Sequence, residues 1–456
     1  MPPFTHGLTL LIFSLLPLSL AAHLPSHSKP AASIKCNSKP YIYNSLAGFG
    51  YISHDARDSY GDTLSIGSSI AVPDWEQTTR GGYKGTLYAL PDRGWNTNGT
   101  TNTQPRIHIF DITFTPSPEA SVKKPAGPNL KFKYKQTILL TGPDRNPLTS
   151  LDPDQDITWN GGGLKYAGFP VLPTATYPPA GDGFSASGDL SKVTKRVSLD
   201  AEGLVLNKDG SFWISDEYGP AIYKFDPKGK MIDVIQPPDA FLPLRNDAVS
   251  YTSYNPPIYD PNRPPPAPED PTQGRQNNQG FEGLTASPDG KYLYAMLQSA
   301  LIQDGGSSSS KRQNTRLLKY EVSPGKKSPT LAGEYVVPLP TYVNAEGKTR
   351  VAAQSEIHFI SETQLLVLPR DSDVGRGYGP EAAESKYRHV DVFDISKATD
   401  IKGRYDRFNK SVTVGNECKL TTYQMCLPSA WHAYLPRDNS RQAQTRHKTS
   451  HFLFFP

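Results

Sequence analysis

The chain is short of the signatures by which enzymes are usually read. It has no HExxH pair, no GxSxG nucleophile elbow, no GxGxxG turn and no P-loop. An RHGxRxP-type active site is absent as well, so histidine-phosphatase chemistry is not indicated. Charge bias is small, with 48 Lys and Arg against 44 Asp and Glu, a net +4. Arg437, Arg441, Arg446 and Lys448 less Asp438 supply +3 of that, so the alkaline balance does not point to nucleic acid. No long helical periodicity occurs outside the N-terminus, which argues against a helical fold. Cysteine is scarce and odd in number: Cys36, Cys418 and Cys426.

What is present is a repeat. Ser198 to Lys230 reads SLDAEGLVLNKDGSFWISDEYGPAIYKFDPKGK. Two strand-like runs, Gly203–Leu206 and Ser211–Ser215, flank a turn in which Asp209-Gly210 supplies the positive φ of a tight hairpin. A third run, Ala221–Phe225, ends at Asp226-Pro227, because proline cannot donate to a ladder. Carboxylates stand at both ends of the hairpin, Glu202 entering and Asp216-Glu217 leaving.

The unit recurs. Phe281 to Leu297 reads FEGLTASPDGKYLYAML, with Glu282 at the place of Glu202. Ser355 to Asp371 reads SEIHFISETQLLVLPRD, with Glu356 taken as the equivalent. Gly85 to Trp95, GTLYALPDRGW, is the second half of a unit ending in Asp92-Arg93. A further strand follows each copy: Ile107–Asp111, Ile222–Asp226, Leu317–Glu321 and Val390–Asp394. One small sheet cannot bury both its faces, so four spaced copies predict radial repetition. The expected fold is an all-β propeller of six or seven blades. At 456 residues it fits one long unit, and glycine (37) with proline (43) makes only roughly a sixth of the chain.

Around that domain, expected over residues 41–434, the flanks differ. Met1 to Ala22 reads as a signal peptide: an apolar run Leu8–Leu20, short for a membrane span, then Ser19-Leu20-Ala21 at the cleavage site. Residues 23–40 are a lead-in. Secretion gives meaning to the sequons at Asn98 and Asn409. It also gives meaning to the cysteines, where one bond and one orphan thiol are expected: Cys418 with Cys426 is the pair favoured by proximity, and Cys36 with either would tie the two ends of the chain together. Segments 116–129, 254–279 and 303–314 read as solvated loops that form no packed element. Leu435 to Pro456 has no strand pattern and is expected to be disordered, leaving the propeller incomplete at its C-terminus. A truncated or mis-spliced reading of the gene would explain such a tail; the alternative is that strands near Tyr41–Tyr51 close the ring.

Radial repetition brings equivalent positions to one mouth of the channel. The candidate metal ligands are therefore Glu202, Asp216, Glu282 and Glu356, and the candidate catalytic residues Glu202, Asp216, Glu217, Arg93 and Arg370. Asp92 and Asp371 are further acidic candidates. Clustered carboxylates raise one another's pKa, and a hard divalent cation, Ca²⁺ favoured, relieves that. Arginines beside it grip a phosphate or carboxylate.

Three segments, SLDAEGLVLNKDGSFWISDEYGPAIYKFDPKG, NQGFEGLTASPDGKYLYAMLQSAL and YALPDRGWNTNGT, resemble the phytase-like family, also called esterase-like activity of phytase. The resemblance runs from about Gly48 to Ile401. It implies a secreted or periplasmic propeller-like domain rich in Glu and Asp, with phosphoester hydrolysis as the expected activity. Members continue into a further Glu-Gly-Leu-like unit where this chain has its basic tail. The expected partner is a small-molecule ester or phosphate ester taken by a monomer. A lactonase or carboxyl-ester hydrolase, and a non-catalytic propeller binding a partner or glycan, are the alternatives.

Overall fold

In the repeat, aspartate-glycine turns fold each apolar run back on the next. Asn207 N–H donates to Ser211 O at 2.8 Å across Asp209-Gly210, and Gly210 takes φ +82°. The computed structural model describes residues 30, 32–43, 48–94, 99–117, 126–154, 163–177, 194–323, 328–371, 386–387, 389–414, 417–418, 420, 424–426 and 450–453. The signal-peptide segment and Asn98 lie outside these residues.

Four antiparallel, four-stranded sheets follow one another. Sheet A comprises Ser69–Gln77, Tyr83–Leu90, Arg106–Phe114 and Leu130–Leu139. Sheet B comprises Ala201–Leu206, Phe212–Asp216, Ile222–Phe225 and Met231–Ile235. Sheet C comprises Phe281–Ala286, Tyr292–Leu297, Asn314–Glu321 and Thr330–Pro338. Sheet D comprises Ala353–Ser361, Gln364–Arg370, Asp391–Asp394 and Gln424–Cys426. A three-stranded sheet, Gly163–Lys165, Val171–Tyr177 and Thr194–Val197, precedes sheet B. Among the described residues there is no α-helix, and no helix is long and apolar enough to cross a membrane. The four-stranded sheets number four there, against the six or seven blades expected from sequence.

Period-two alternation explains the stacking. In the second strand of sheet B every residue is buried, as a sheet covered on both faces requires. Phe212 and Ile214 pack with Ile107 and Ile109 of sheet A, whereas Trp213 packs with Leu284 and Leu293 of sheet C. In sheet C, Leu293 and Ala295 face sheet B, while Tyr294 and Met296 join Ile357 and Val367 of sheet D. The four sheets meet in a circuit. Leu204 N–H donates to Ser69 Oγ at 3.1 Å, Ser215 Oγ to Glu282 O at 3.0 Å, and Phe359 N–H to Thr285 Oγ1 at 3.1 Å. Ser69 Oγ then donates to Glu356 Oε2 at 2.7 Å, which links sheet D back to sheet A.

The glycine of the repeated Glu-Gly-Leu permits this approach. A Cβ on Gly203 would lie 2.4 Å from Leu284 Cβ, and one on Gly283 would lie 2.8 Å from Gln354 Oε1. Leucine then fills the core between sheets, and glutamate is left at the strand's entry.

Several expectations need correction. Segment 254–279 is packed, because two fully buried arginines, Arg275 within it and Arg245 outside it, tie it to the rest of the chain. Arg275 donates to Tyr218 O at 2.6 and 2.8 Å and to Tyr251 O at 2.5 Å. Arg245 donates to Ser250 O, Thr252 O and Glu269 O. Segment 303–314 is likewise anchored, by the buried ion pair of Asp304 with Arg316 at 2.8 Å. The lead-in carries a hairpin, Ala32–Cys36 with Lys39–Tyr43, packed on Val392 and Leu366 of sheet D. In the tail, Ser450–Leu453 pairs antiparallel with Phe49–Ile52. Cys418 is a free thiol and forms no bond to Cys426. Sequence proximity misled there: Cys418 sits in a short ladder opposite Thr413.

Candidate functional site

The first strands of sheets B, C and D are each bulged near their entry. Pairing runs from Ala201–Asp216 to Leu204–Ile214, from Phe281–Leu297 to Gly283–Met296, and from Gln354–Pro369 to Glu356–Leu368. A bulge leaves a residue without a ladder partner and re-aims its side chain. The residues so released are Glu202 with Gly203, Glu282 and Ser355. Glu202, Glu282 and Ser355, with Ser68 ahead of sheet A, line a cavity of about 290 Å³. The residues just past or ending the second strands complete the wall: Asp92 and Arg93, Glu217, Gln298, and Arg370. Gly67, Asp200 and Asn278 fill the remaining rim.

This register corrects the sequence alignment of the repeats. Opposite the bulges, Asp216, Leu297 and Pro369 are equivalent, so the mouth position is Glu217, Gln298 and Arg370. Asp216 does not line the cavity. Its carboxylate accepts from the backbone N–H of Asp200, Tyr218 and Gly219 at 2.9–3.0 Å and from Tyr223 Oη at 3.2 Å. Glu356 is one residue past the bulge and turns away to Ser69 and to its own neighbour, Ile357 N–H, at 2.9 Å. Asp371 is also outside the cavity, accepting from the N–H groups of Lys386 and Tyr387. Asn409 is exposed.

Three carboxylates converge. Asp200, Glu202 and Glu217 each offer an oxygen, all within 4.8 Å of one another, and all three residues are buried. Oxygens on a calcium shell of radius about 2.4 Å span at most about that distance. Three buried acceptors nearby call for an electropositive partner. Glu217 Oε1 and Glu282 Oε2 are buried acceptors with no hydrogen bond, and Asn278 Oδ1 is a third. Acceptors so placed are costly unless something electropositive meets them.

The electrostatics agree. Burial and then Glu282 hold both Glu202 and Glu217 well above the carboxylate range. Burial, then Asp200, pushes Asp92 up to about 6. Burial pushes Glu282 up to about 7 against the pull of Arg370. The two arginines differ. Arg93 is buried and committed: its N–H and Nε face Asp200 at 3.0 and 3.5 Å, and Nη1 donates to Tyr218 Oη at 3.3 Å. Arg370 stands at the rim with its side chain 48% exposed, 3.5 Å from Glu282 Oε1 and 3.2 Å from Ser355 Oγ.

Asp200, Asn278 and Ser355 were missed from sequence. Asp200 was legible, since it precedes Glu202 by two residues and so shares its face of the strand. Asn278 comes from the packed segment before sheet C, and no pattern in the repeat marks it.

An all-β chain with a carboxylate-rich mouth is thus the class the fold and site define. The profile of the phytase-like family, described as esterase-like activity of phytase, matches residues 78–421. The chain belongs to that family. It is 48% identical over 379 residues to an uncharacterized secreted protein of Arthroderma benhamiae, covering 81% of this chain and 71% of that one. Among solved structures, a candidate 6-phosphogluconolactonase of Bacteroides fragilis is 13% identical, covering 87% of this chain and 96% of its own at TM-score 0.24. Sqt1 of Saccharomyces cerevisiae is 8% identical, covering 72% of each at TM-score 0.26. At those TM-scores neither overlay fixes the architecture.

Proposed function

We propose that the mouth holds one divalent cation, calcium favoured, on Asp200, Glu202 and Glu217, and that the protein is a secreted, cation-assisted ester hydrolase. The four sheets are read as blades of a propeller around that mouth, a reading supported by the circuit of contacts that links each sheet to the next. Secretion is supported by the N-terminal leader pattern and by the secreted relative. The observation that carries the site is the set of unpartnered buried oxygens, Glu217 Oε1 and Glu282 Oε2, facing a cavity already crowded with carboxylates.

A bound cation supplies a Lewis acid for the ester oxygen and lowers the pKa of water. The chain's own residues do the rest. Arg93 holds Asp200 in place. Glu282, which lines the same cavity, takes a proton from the attacking water and returns it to the leaving alkoxide in this reading. Arg370 faces the entering ester. Water's oxygen adds to the reacting centre, the ester bond to the alcohol oxygen breaks, and the alcohol leaves with the proton.

The test is melting of the purified protein with calcium or magnesium, with and without chelator, beside ester hydrolysis. Calcium should raise the melting temperature of the wild type and leave Glu217→Gln unmoved, by mass action on the folded state. A wild type indifferent to both ions would leave a non-catalytic propeller as the better reading.

A further inference from the structure

The charge inventory of the mouth limits what kind of ester can enter it. Among the described residues five carboxylates line the cavity, Asp92, Asp200, Glu202, Glu217 and Glu282, against two guanidiniums, Arg93 and Arg370. Ionised, they leave three negative charges, and one divalent cation leaves one. Among the described residues neither lysine nor histidine lines the wall. Arg93 is 4% exposed, with Nε beside Asp200 at 3.5 Å and Nη1 donating to Tyr218 Oη at 3.3 Å, so it is held deep in the wall. Ser68 Oγ is likewise spent, donating to Glu202 Oε2 at 2.5 Å. Arg370 is different. Its side chain is half exposed and its contact with Glu282 is long, which leaves donors pointing to the entrance.

Recognition of a phosphoryl dianion needs several converging donors or more than one cation around its three oxygens. Among the described residues this mouth offers one exposed guanidinium, Arg370, set among carboxylates that repel such a group. An uncharged acyl centre meets no such barrier, because its charge develops only as water adds, next to the cation. The cavity, about 290 Å³, is at the small end of ligand sites.

We infer that the substrates are small carboxylic esters or lactones, uncharged at the reacting carbon and carrying at most one negative charge, which Arg370 meets. This rests on the cation site argued above. In the reaction water's oxygen adds to the acyl carbon, the acyl C–O bond breaks, and the alcohol oxygen receives the proton.

Three probes with one leaving group test it on the full-length, calcium-loaded protein: p-nitrophenyl acetate, the p-nitrophenyl monoester of succinate, and p-nitrophenyl phosphate. Both carboxylic esters should exceed the phosphate in kcat/KM by at least about a hundredfold, the succinate being the better of the two. Arg370→Ala should bring the succinate-to-acetate ratio down toward one, whatever it does to the absolute rates. Glu217→Gln should abolish turnover together with the calcium-induced melting shift. Phosphate hydrolysed as fast as acetate, or a succinate preference untouched by Arg370→Ala, overturns the inference while a calcium shift still upholds the cation site. A calcium shift with no ester hydrolysed also overturns it. No calcium shift at all removes the reading beneath and the inference with it.

Discussion

Two clusters of buried charge in this protein look alike in composition and differ in what they leave open. Behind sheet C, Arg316, Asp304 and Glu334 are fully buried. Arg316 meets Asp304 Oδ2 at 2.8 Å and Glu334 Oε1 at 3.0 Å, and donates to the carbonyls of Tyr405 and Lys410. Asp304 Oδ1 also accepts from Val412 N–H at 2.8 Å. Glu334 Oε2 is unpartnered here too, but it does not line the mouth cavity, and burial pushes Glu334 up to about 8, so that it keeps a proton near neutrality and removes the one surplus charge. At the mouth the surplus is larger, and its unpartnered oxygens face a cavity. The same contrast exists between two consecutive residues: Asp216 has four donors, while Glu217 leaves Oε1 with none. Buried charge that is closed on itself is architecture; buried charge left open toward a cavity is a site.

The largest expected effect breaks the closed cluster. Arg316→Met strands two buried carboxylates and should cost about 3–5 kcal/mol of unfolding free energy by denaturant titration. Next, Asp216→Ala orphans three buried N–H groups and should cost about 3 kcal/mol. Glu217→Gln, one residue on, should leave the calcium-free protein as stable as wild type or more so. Equal losses at the two positions would erase the distinction between them.

Gly203→Ala forces a methyl to within 2.4 Å of Leu284 and should cost about 1–3 kcal/mol. A smaller effect is expected from pH. Glu282 binds its proton more tightly folded than unfolded, its folded value being about 7, so the native state carries the extra proton between the two values. Stability of the calcium-free protein should therefore fall as pH rises from about 5 to 7, and calcium should restore it most at the upper end. Melting curves over that range, with and without calcium, check the sign. Without effect on stability, thiol labelling of the unreduced, unfolded chain should mark Cys418, with Cys36 held in a disulfide.

Sheet existence and order were legible because the aspartate-glycine turns and alternating runs act locally: the three runs expected within Gly203–Phe225 became three strands of sheet B. Glu202, Glu217 and Glu282 could be placed at one mouth for the same reason, by repetition. Asp216 and Glu356 could not be sorted from them, because a one-residue bulge moves a side chain to the other face and no residue type marks it. The ordering of 254–279 was hidden too. It depends on Arg245 and Arg275 reaching carbonyls far along the chain, which proline-rich composition does not reveal.

The central claim is that Asp200, Glu202 and Glu217 form a cation site, and calorimetric titration of calcium into chelator-stripped, full-length protein tests it most directly. The account predicts one site per chain, lost in Asp200→Asn and in Glu217→Gln and kept in Glu356→Gln, whose carboxylate turns away to Ser69. No heat of binding in the wild type, or binding that survives both mouth substitutions and disappears with Glu356→Gln, would contradict it.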